Sequence, residues 1–254
     1  MIFKELHEAY GHIKFIDYNH SYIDMINNKR LISVTTLIKQ FIKPFDTEFH
    51  SKRMADKPKE KRTQEQLKLQ WKKDGVLGAT AGTMLHNYLE NLWNNKVFEI
   101  DYSVLPKMNT VDFIPFHGKV SRLIEMADQF HNENKNLIPV KTELIVGNEK
   151  IAGQVDLLAY DTEIDGYVIV DYKSDRRMNY KSFFGNKFLN KLSHLDECEI
   201  NKYSLQLCIY KELLKKVVDI KDMYVVWFNV KNDTYKKIKL KNLDIETRSI
   251  LSSI

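Results

Sequence analysis

The sequence predicts an α/β fold in which helices flank a mixed central β-sheet. Three strand-like runs follow one another in the second half of the chain, at residues 140–147, 150–160 and 166–173. Amphipathic helices are predicted before them, over residues 119–134, and after them, over residues 201–216, because apolar side chains recur there at the helical period. An apolar run at 223–230 adds a buried strand. This order of helix, three strands, helix and strand is typical of helices packed on a sheet.

Composition bounds the class of protein. The 254 residues are 43% hydrophobic, enough for a sizeable core. We find no run of about 18 apolar residues, so no membrane-spanning helix is expected, and the N-terminus is too polar for a signal peptide. Cys198 and Cys208 form no CxxC pair, which favours a reducing compartment, the cytoplasm (the host's, for a phage protein), over a disulfide scaffold or zinc site. The formal net charge of +5 permits a polyanionic partner.

Short elements are predicted near the N-terminus. Residues 13–34 contain strand-like runs with a turn at Asn27 and Asn28. Thr35 or Thr36 is suited to cap the short helix that follows.

A longer helical region comes next. Residues 47–73 are charged and helix-prone, and the glycines of residues 78–82 lead into a helix that carries MLHNYLENLW. Residues 96–116 lack a regular pattern. We expect residues 1–75 to form a β-hairpin and a helical cap, and residues 76–254 to form the core.

Charged residues interrupt two of the central strands. Asp156, Asp171 and Lys173 stand in apolar runs, where burying a charge is costly unless the charge is paired or binds a metal. An Asp-Gly turn between the runs makes the strands neighbours. Alternation along a strand places Asp171 and Lys173 on one face with Tyr172 opposite, and Gly153 leaves room for Asp156 beside them.

This combination favours phosphodiester hydrolysis. Converging carboxylates repel unless a hard dication holds them, and Mg²⁺ prefers carboxylates, waters and phosphate oxygens. A neighbouring lysine orients or deprotonates the attacking water, or stabilises the charge of the transition state. The structural alternative is an Asp–Lys ion pair across the strands, with Asp156 capping a turn.

Four motifs resemble one nuclease family. GQVD followed by DYK resembles the metal-binding signature of the PD-(D/E)XK nucleases, although valine stands where the family name has proline. GTMLHNYLE resembles the helix motif of the RecB-like exonuclease branch, which gives His86 and, one turn later, Glu90. YSLQLCIY matches the QxxxY element of that branch, giving Gln206 and Tyr210. TELIVG is similar to its first core strand, giving Glu143 as an accessory acid.

The resemblance implies a restriction-endonuclease-like core and a Mg²⁺- or Mn²⁺-dependent deoxyribonuclease. It assigns the metal to Asp156, Asp171, the backbone carbonyl of Tyr172 and His86, and the positioning of the water to Lys173. It implies an exonuclease on single strands or DNA ends, similar to phage-type and mitochondrial members, in DNA recombination, replication or repair, with a recombination or replication partner protein. The iron–sulfur members need four cysteines, so no cluster is expected.

Each site residue also has a structural interpretation. His86 suits a packed core histidine, Glu90 a solvated helix residue, and Glu143 a structural or supporting acid. Gln206 and Tyr210 suit polar residues of a packed helix, or residues that hold Lys173 or a DNA phosphate. For the whole chain, the rivals are a structure-selective or restriction-type endonuclease, a DNA-binding relative without activity, and a structural ion-pair protein.

Basic and aromatic residues near the motifs are candidates for DNA binding. Lysine-rich residues 52–73 are balanced by acids and are usually a solvated face, but in a nuclease they suit a groove with Trp71 as a stacking platform. A second group follows the strand that carries Lys173. The candidates are Trp71, Lys72, Lys73, Arg176, Arg177, Tyr180 and Lys181.

Overall fold

The computed structural model describes residues 2–99, 110–174, 176–182 and 184–254. The helices are α1 (Ile2–Tyr10), α2 (Val34–Lys39), α3 (Thr47–Ala55), α4 (Gln64–Trp93), α5 (Thr110–Glu133), α6 (Glu199–Leu214) and α7 (Asp244–Leu251). The strands are β1 (Ile13–Ile16), β2 (Ser21–Asp24), β3 (Lys29–Ser33), β4 (Leu137–Gly147), β5 (Ile151–Asp161), β6 (Gly166–Lys173), β7 (Ile220–Asn229) and β8 (Thr234–Lys239).

These strands form a mixed sheet in the order β1-β2-β3-β5-β6-β7-β8, with β4 paired to the other edge of β5. The β4–β5, β5–β6 and β7–β8 pairs are antiparallel, whereas β6 and β7 run parallel. A mixed sheet flanked by helices confirms the predicted fold class.

Two apolar layers cover the sheet. One contains buried side chains of α1, α2, α6 and α7, and the other those of α4 and α5. Along β6, Ile169 belongs to the first layer, whereas Val168, Val170 and Tyr172 belong to the second. Since side chains alternate along a strand, Asp171 is directed toward α6.

The neighbour of β5 changes along one of its edges. Pairing with β3 covers Ile151 and Ala152, and pairing with β6 begins at Leu157. Residues 153–156 lie between these two contacts. The strands therefore separate at this point, and the sheet opens beside Asp156.

Helix α4 is longer than predicted. It begins at a capping box, in which Thr63 and Gln66 bond each other's backbone N–H groups, and continues unbroken to Trp93. Gly75, Gly78 and Gly82 lie inside it, and each costs about 1 kcal/mol relative to alanine. Buried apolar residues near both ends, such as Leu67 at the start, stabilise the helix against that cost. The predicted division at residue 75 falls inside α4 and stays a prediction.

Two other boundaries differ from the predictions. Ser33, not Thr35 or Thr36, caps α2, because its hydroxyl accepts from the N–H of Thr36 at 3.1 Å. Part of the segment predicted to be irregular, 96–116, is helical from residue 110, while residues 100–109 lie outside the described residues. Pro115 does not stop α5, since a proline near a helix start removes only one intrahelical hydrogen bond. In the described part of the chain, no helix is long and apolar enough to span a bilayer.

Candidate active site

The site lies where β5 and β6 separate. Asp156 immediately precedes the first pair between these strands, Leu157 with Val170, and Asp171 and Tyr172 follow that pair on β6. The Oδ2 atom of Asp156 accepts a hydrogen bond from the backbone N–H of Tyr172 at 2.6 Å. The carboxylate thus replaces a backbone acceptor at the opening, and it does not cap a turn.

Helix α4 brings His86 over this opening. Its Nε2 atom lies 3.0 Å from the backbone carbonyl of Tyr172, which can only accept, so Nε2 donates. Its Nδ1 atom lies 3.5 Å from Asp156 Oδ1 and 3.9 Å from Glu143 Oε1. One ligand atom from each of His86, Glu143 and Asp156 lies within 4.8 Å of the others. Three side chains from different elements therefore converge on one point.

Asp171 and Lys173 form the other half of the cluster. Lys173 Nζ lies 2.5 Å from Asp171 Oδ2 and donates to the carbonyl of Tyr172 at 3.1 Å. Burial raises the pKa of Asp171 to about 6, although the nearby Lys173 lowers it. Both residues lie on the face of β6 opposite the Tyr172 side chain, which accepts a hydrogen bond from the Trp93 indole at 2.8 Å.

Helix α6 supports Asp171 from the other layer. Gln206 Nε2 lies 3.2 Å from Asp171 Oδ1 and 3.2 Å from the Tyr210 hydroxyl. Gly153 makes this possible, because a Cβ there would lie 2.4 Å from the ring of Tyr210. The contact of Gln206 is therefore with the carboxylate, whereas the sequence interpretation considered Lys173 or a DNA phosphate.

Glu143 is the most strained residue of the cluster. Its φ of 47° lies in the left-handed region, which costs a non-glycine residue about 1–3 kcal/mol. Burial raises the pKa of its carboxyl to about 9, and the charges of Asp156, Glu90 and Asp171 raise it further. A carboxylate held in strained backbone beside other carboxylates is suited to a cation.

A cavity of about 850 Å³ extends from this cluster along α4. His86, Glu90 and Glu143 line it, together with residues of β1 and β5. Sequence reasoning missed Tyr22, which is buried next to the cluster. Burial raises the pKa of Tyr22 to about 12, with further contributions from Glu143 and Asp156. No local pattern indicates this residue, because β2 reaches the site only through the sheet.

The candidates for DNA binding are divided between several surfaces. Lys73 and Arg176 line a second cavity, of about 750 Å³, and Lys73 Nζ lies 2.5 Å from Asp112 Oδ1. The ring of Trp71 lies 6.0 Å from that of Phe45. The remaining candidates are exposed or half-buried and do not line either cavity: Lys72, Arg177, Tyr180 and Lys181.

The family profile of the PD-(D/E)XK nuclease superfamily matches residues 62–249, which include every member of this cluster. The chain belongs to the PD-(D/E)XK nuclease superfamily. This agrees with the resemblance that the GQVD and DYK motifs indicated.

Curated relatives are large proteins. An ATP-dependent helicase/nuclease subunit of Clostridium perfringens strain SM101 is 23% identical over 254 residues, which cover 86% of this chain and 19% of that protein. Its counterparts from strains 13 and ATCC 13124 give the same identity and coverage. The chain thus spans about a fifth of the length of these relatives. The crystal structure of SSO0001 aligns with 67% of this chain and 82% of its own, at 16% identity and a TM-score of 0.30, too low to carry an argument.

Nucleases of this superfamily use divalent metal ions, and the donor set fits one. Carboxylate and carbonyl oxygens with an imidazole suit Mg²⁺ or Mn²⁺ better than soft metals. The raised pKa values of Glu143 and Asp171 show that the carboxyl groups resist ionising together when no cation is present. A dication at this point would remove that penalty.

Proposed function

We propose that the protein is a metal-dependent deoxyribonuclease that acts as an exonuclease on single strands or DNA ends. The observation that supports this most is the convergence of Asp156, Asp171, His86 and Lys173 on the carbonyl of Tyr172, where β5 and β6 separate. Membership of a nuclease superfamily supplies the reaction class. Of the name of the helicase/nuclease relatives, we carry over only the nuclease part.

In this proposal, Asp156, Asp171, His86 and the Tyr172 carbonyl hold Mg²⁺ or Mn²⁺, and Glu143 assists as an accessory acid. The cation supplies positive charge to the scissile phosphate and to the leaving oxygen. Glu90, one turn from His86, contributes negative charge near Glu143.

Lys173 positions the attacking water. Its ammonium group is fixed by Asp171 and by the Tyr172 carbonyl, and 21% of its side chain is exposed, so a third N–H remains for a water or a phosphate oxygen. Gln206 and Tyr210 are positioning residues, because they act on the reaction only through Asp171. This separates the group that meets the reactants from those that orient it.

The wider setting is proposed on the same basis. We propose that residues 1–75 serve as a cap over the nuclease core, and that the enzyme works in the cytoplasm in DNA recombination, replication or repair with a partner protein. The resemblance to phage-type and mitochondrial exonucleases supports this proposal.

The proposal is tested with purified protein and an end-labelled oligonucleotide. Degradation is expected with Mg²⁺ or Mn²⁺ and not with EDTA, and Asp171→Asn or Lys173→Ala is expected to abolish it. Asp222→Asn is the matched control, since Asp222 pairs with Lys239 on β7 and β8, away from the cluster. Full activity in both site variants would overturn the mechanism.

Substrate topology separates the remaining alternatives. An exonuclease degrades linear strands and spares circular ones, whereas an endonuclease on the same core cuts both. Binding of DNA without cleavage under every metal condition would identify an inactive relative. Comparing linear, circular and end-blocked substrates decides among these functions.

A further inference from the structure

A second cavity, the α4–α5 cleft, lies between α4, the first turns of α5, the segment after β6 and the β7–β8 turn. Its volume is about 750 Å³, within the range of ligand pockets, about 300–1,000 Å³. Its lining includes four basic residues, Lys73, Lys119, Arg176 and Lys231, against two acidic ones, Asp74 and Asp112. The charge of the lining thus favours an anion.

The cleft reaches the candidate active site. Ser174 lines it and directly follows Lys173. A Cβ on Gly82 would lie 3.6 Å from the Ser174 hydroxyl, and Gly82 in turn lines the cavity that contains His86. A chain lying in the cleft is therefore led to the metal-ligand cluster.

Helix α4 forms an open wall of the cleft. Gly75 and Gly78 line it, and a Cβ at either position would meet no atom within 4 Å. The fold therefore does not need glycine at these two positions, although each costs about 1 kcal/mol in a helix. Their absent side chains allow a ligand to approach the helix backbone closely.

An aromatic group lies beyond the far end of this wall. Trp71 is one turn before Gly75 and makes an edge contact with Phe45, which is 65% exposed. The His50 ring stacks on Phe45 at 4.5 Å. Aromatic side chains beside a basic groove are the combination by which proteins hold single-stranded nucleic acid.

Charge differs between the two sides of the cluster. In contrast to the basic cleft, the cavity beyond His86 is lined by one lysine, Lys14, and by the acidic residues Asp17, Glu90 and Glu143. A polyanion is attracted to the cleft and repelled on the other side. Only the end of a strand is therefore expected to extend past the cluster.

We propose that the α4–α5 cleft binds a single-stranded polynucleotide segment next to the scissile phosphate. Lys119, Arg176 and Lys231 bind its phosphates, and its backbone passes over Gly75 and Gly78. A cube of the cleft's volume has an edge of about 9 Å, less than the about 12 Å width of the major groove alone, so a duplex does not fit. The proposal rests on the proposed nuclease function.

Charge removal tests it. The triple variant Lys119→Ala, Arg176→Ala, Lys231→Ala is compared with the triple variant Lys4→Ala, Lys215→Ala, Lys216→Ala, which loses the same charge at exposed positions. The control residues lie on α1 and at the end of α6, near the β5–β6 turn at the other end of β6 from Lys173.

Binding is measured first, by fluorescence anisotropy of a labelled single-stranded oligonucleotide in EDTA, which requires no catalysis. The cleft variant is expected to bind at least about tenfold more weakly, and its salt slope to fall by about 2, since each single-strand phosphate contact contributes about 0.7. Equal affinity of the cleft and control variants would overturn the proposal.

Kinetics then separate the cleft from the cluster. With Mn²⁺, the ratio of kcat/KM for the oligonucleotide to kcat/KM for the p-nitrophenyl ester of thymidine 5′-phosphate is expected to fall about tenfold in the cleft variant. An unchanged ratio would show that the cleft does not hold the strand. If the wild type cleaves neither substrate, the proposed function fails, while the anisotropy result still decides whether the cleft binds.

The glycine wall gives a second test. Gly78→Leu fills open space in a helix, so thermal stability is expected to be unchanged or higher than in the wild type. Oligonucleotide binding is nevertheless expected to weaken, and less so in Gly78→Ala. A stable Gly78→Leu variant that binds like the wild type would place the strand elsewhere.

Discussion

Glu143 shows at the scale of one residue how the site depends on a cation. Its backbone φ is 47°, and its carboxyl lies beside Asp156 with the charge of Glu90 nearby. Burial and these charges raise its pKa to about 9. In the metal-free protein, this carboxyl therefore stays protonated at neutral pH.

The raised pKa predicts how stability depends on pH. Between the unfolded pKa, about 4.3, and about 9, the folded protein binds more protons than the unfolded chain, so stability falls as pH rises. Asp171, with a pKa of about 6, acts in the same direction over a narrower range. In EDTA, the midpoint of thermal unfolding is expected to be lower at pH 8 than at pH 5.

Glu143→Gln is expected to flatten this dependence by at least about 2–4 °C, the shift that 1 kcal/mol produces in a domain of this size. Glu149→Gln, at an exposed position, is the matched control and is expected to behave like the wild type. The assignment is wrong if Glu143→Gln and the wild type have parallel melting curves against pH.

Gln206 carries a different prediction, because it reaches the reaction only through Asp171. Groups that orient a metal ligand typically contribute about 10–100-fold to metal affinity. Gln206→Ala is therefore expected to raise the Mn²⁺ concentration for half-maximal activity by about that factor, with a smaller change in kcat at saturating Mn²⁺. Gln129→Ala, on the exposed side of α5, is the control. Unchanged metal dependence would assign Gln206 to packing alone.

At the scale of elements, Gly153 of β5 and Tyr210 of α6 form a single contact. A Cβ at position 153 would lie 2.4 Å from Cε1 and 2.8 Å from the hydroxyl of Tyr210. Gly153→Ala is expected to cost about 1–3 kcal/mol by overpacking, and to lower activity by displacing the Gln206–Asp171 contact. Urea unfolding measures the first effect.

A double variant separates this contact from a general loss of stability. Tyr210→Ala removes the ring that the new methyl group meets, so Gly153→Ala is expected to cost less in that background. Additive costs would show that the methyl group acts on something else.

Elements that sequence predicts well have strong local patterns. The alternation in β5 and the apolar run of β6 indicate strands without any knowledge of their neighbours, and the QxxxY spacing places Gln206 and Tyr210 one turn apart. The glycines of α4 and Pro115 of α5 are local signals against helix, and tertiary packing overrides them. This is why α4 and α5 are longer than predicted.

The site divides along the same line. Asp156, Asp171 and Lys173 were predicted from charges that interrupt buried strands, and His86 from its motif. Tyr22, Lys119 and Lys231 belong to separate elements that meet only in the folded chain, and no spacing in the sequence indicates them.

For the whole molecule, the cluster lies between the two helical layers. His86 comes from α4 on one face of the sheet, and Gln206 reaches Asp171 from α6 on the other. A cation held by His86, Asp156 and Asp171 would link the α4 layer to the central strands. Metal binding is therefore expected to stabilise the entire fold and not only a loop.

The size of this effect follows from mass action. A ligand at 100 times its Kd stabilises the folded state by about 2.7 kcal/mol, or about 5–11 °C at about 2–4 °C per kcal/mol in a domain of this size. Calorimetry in Mn²⁺ and in EDTA measures it. Asp156→Asn is expected to lose most of the metal-dependent increase, while Asp222→Asn, at an ion pair with Lys239, keeps it. Hydrogen exchange should slow across α4 and β6 together on adding Mn²⁺. Slowing confined to the loop after β6, or an equal increase in Asp156→Asn, would show that the cation does not bridge these elements.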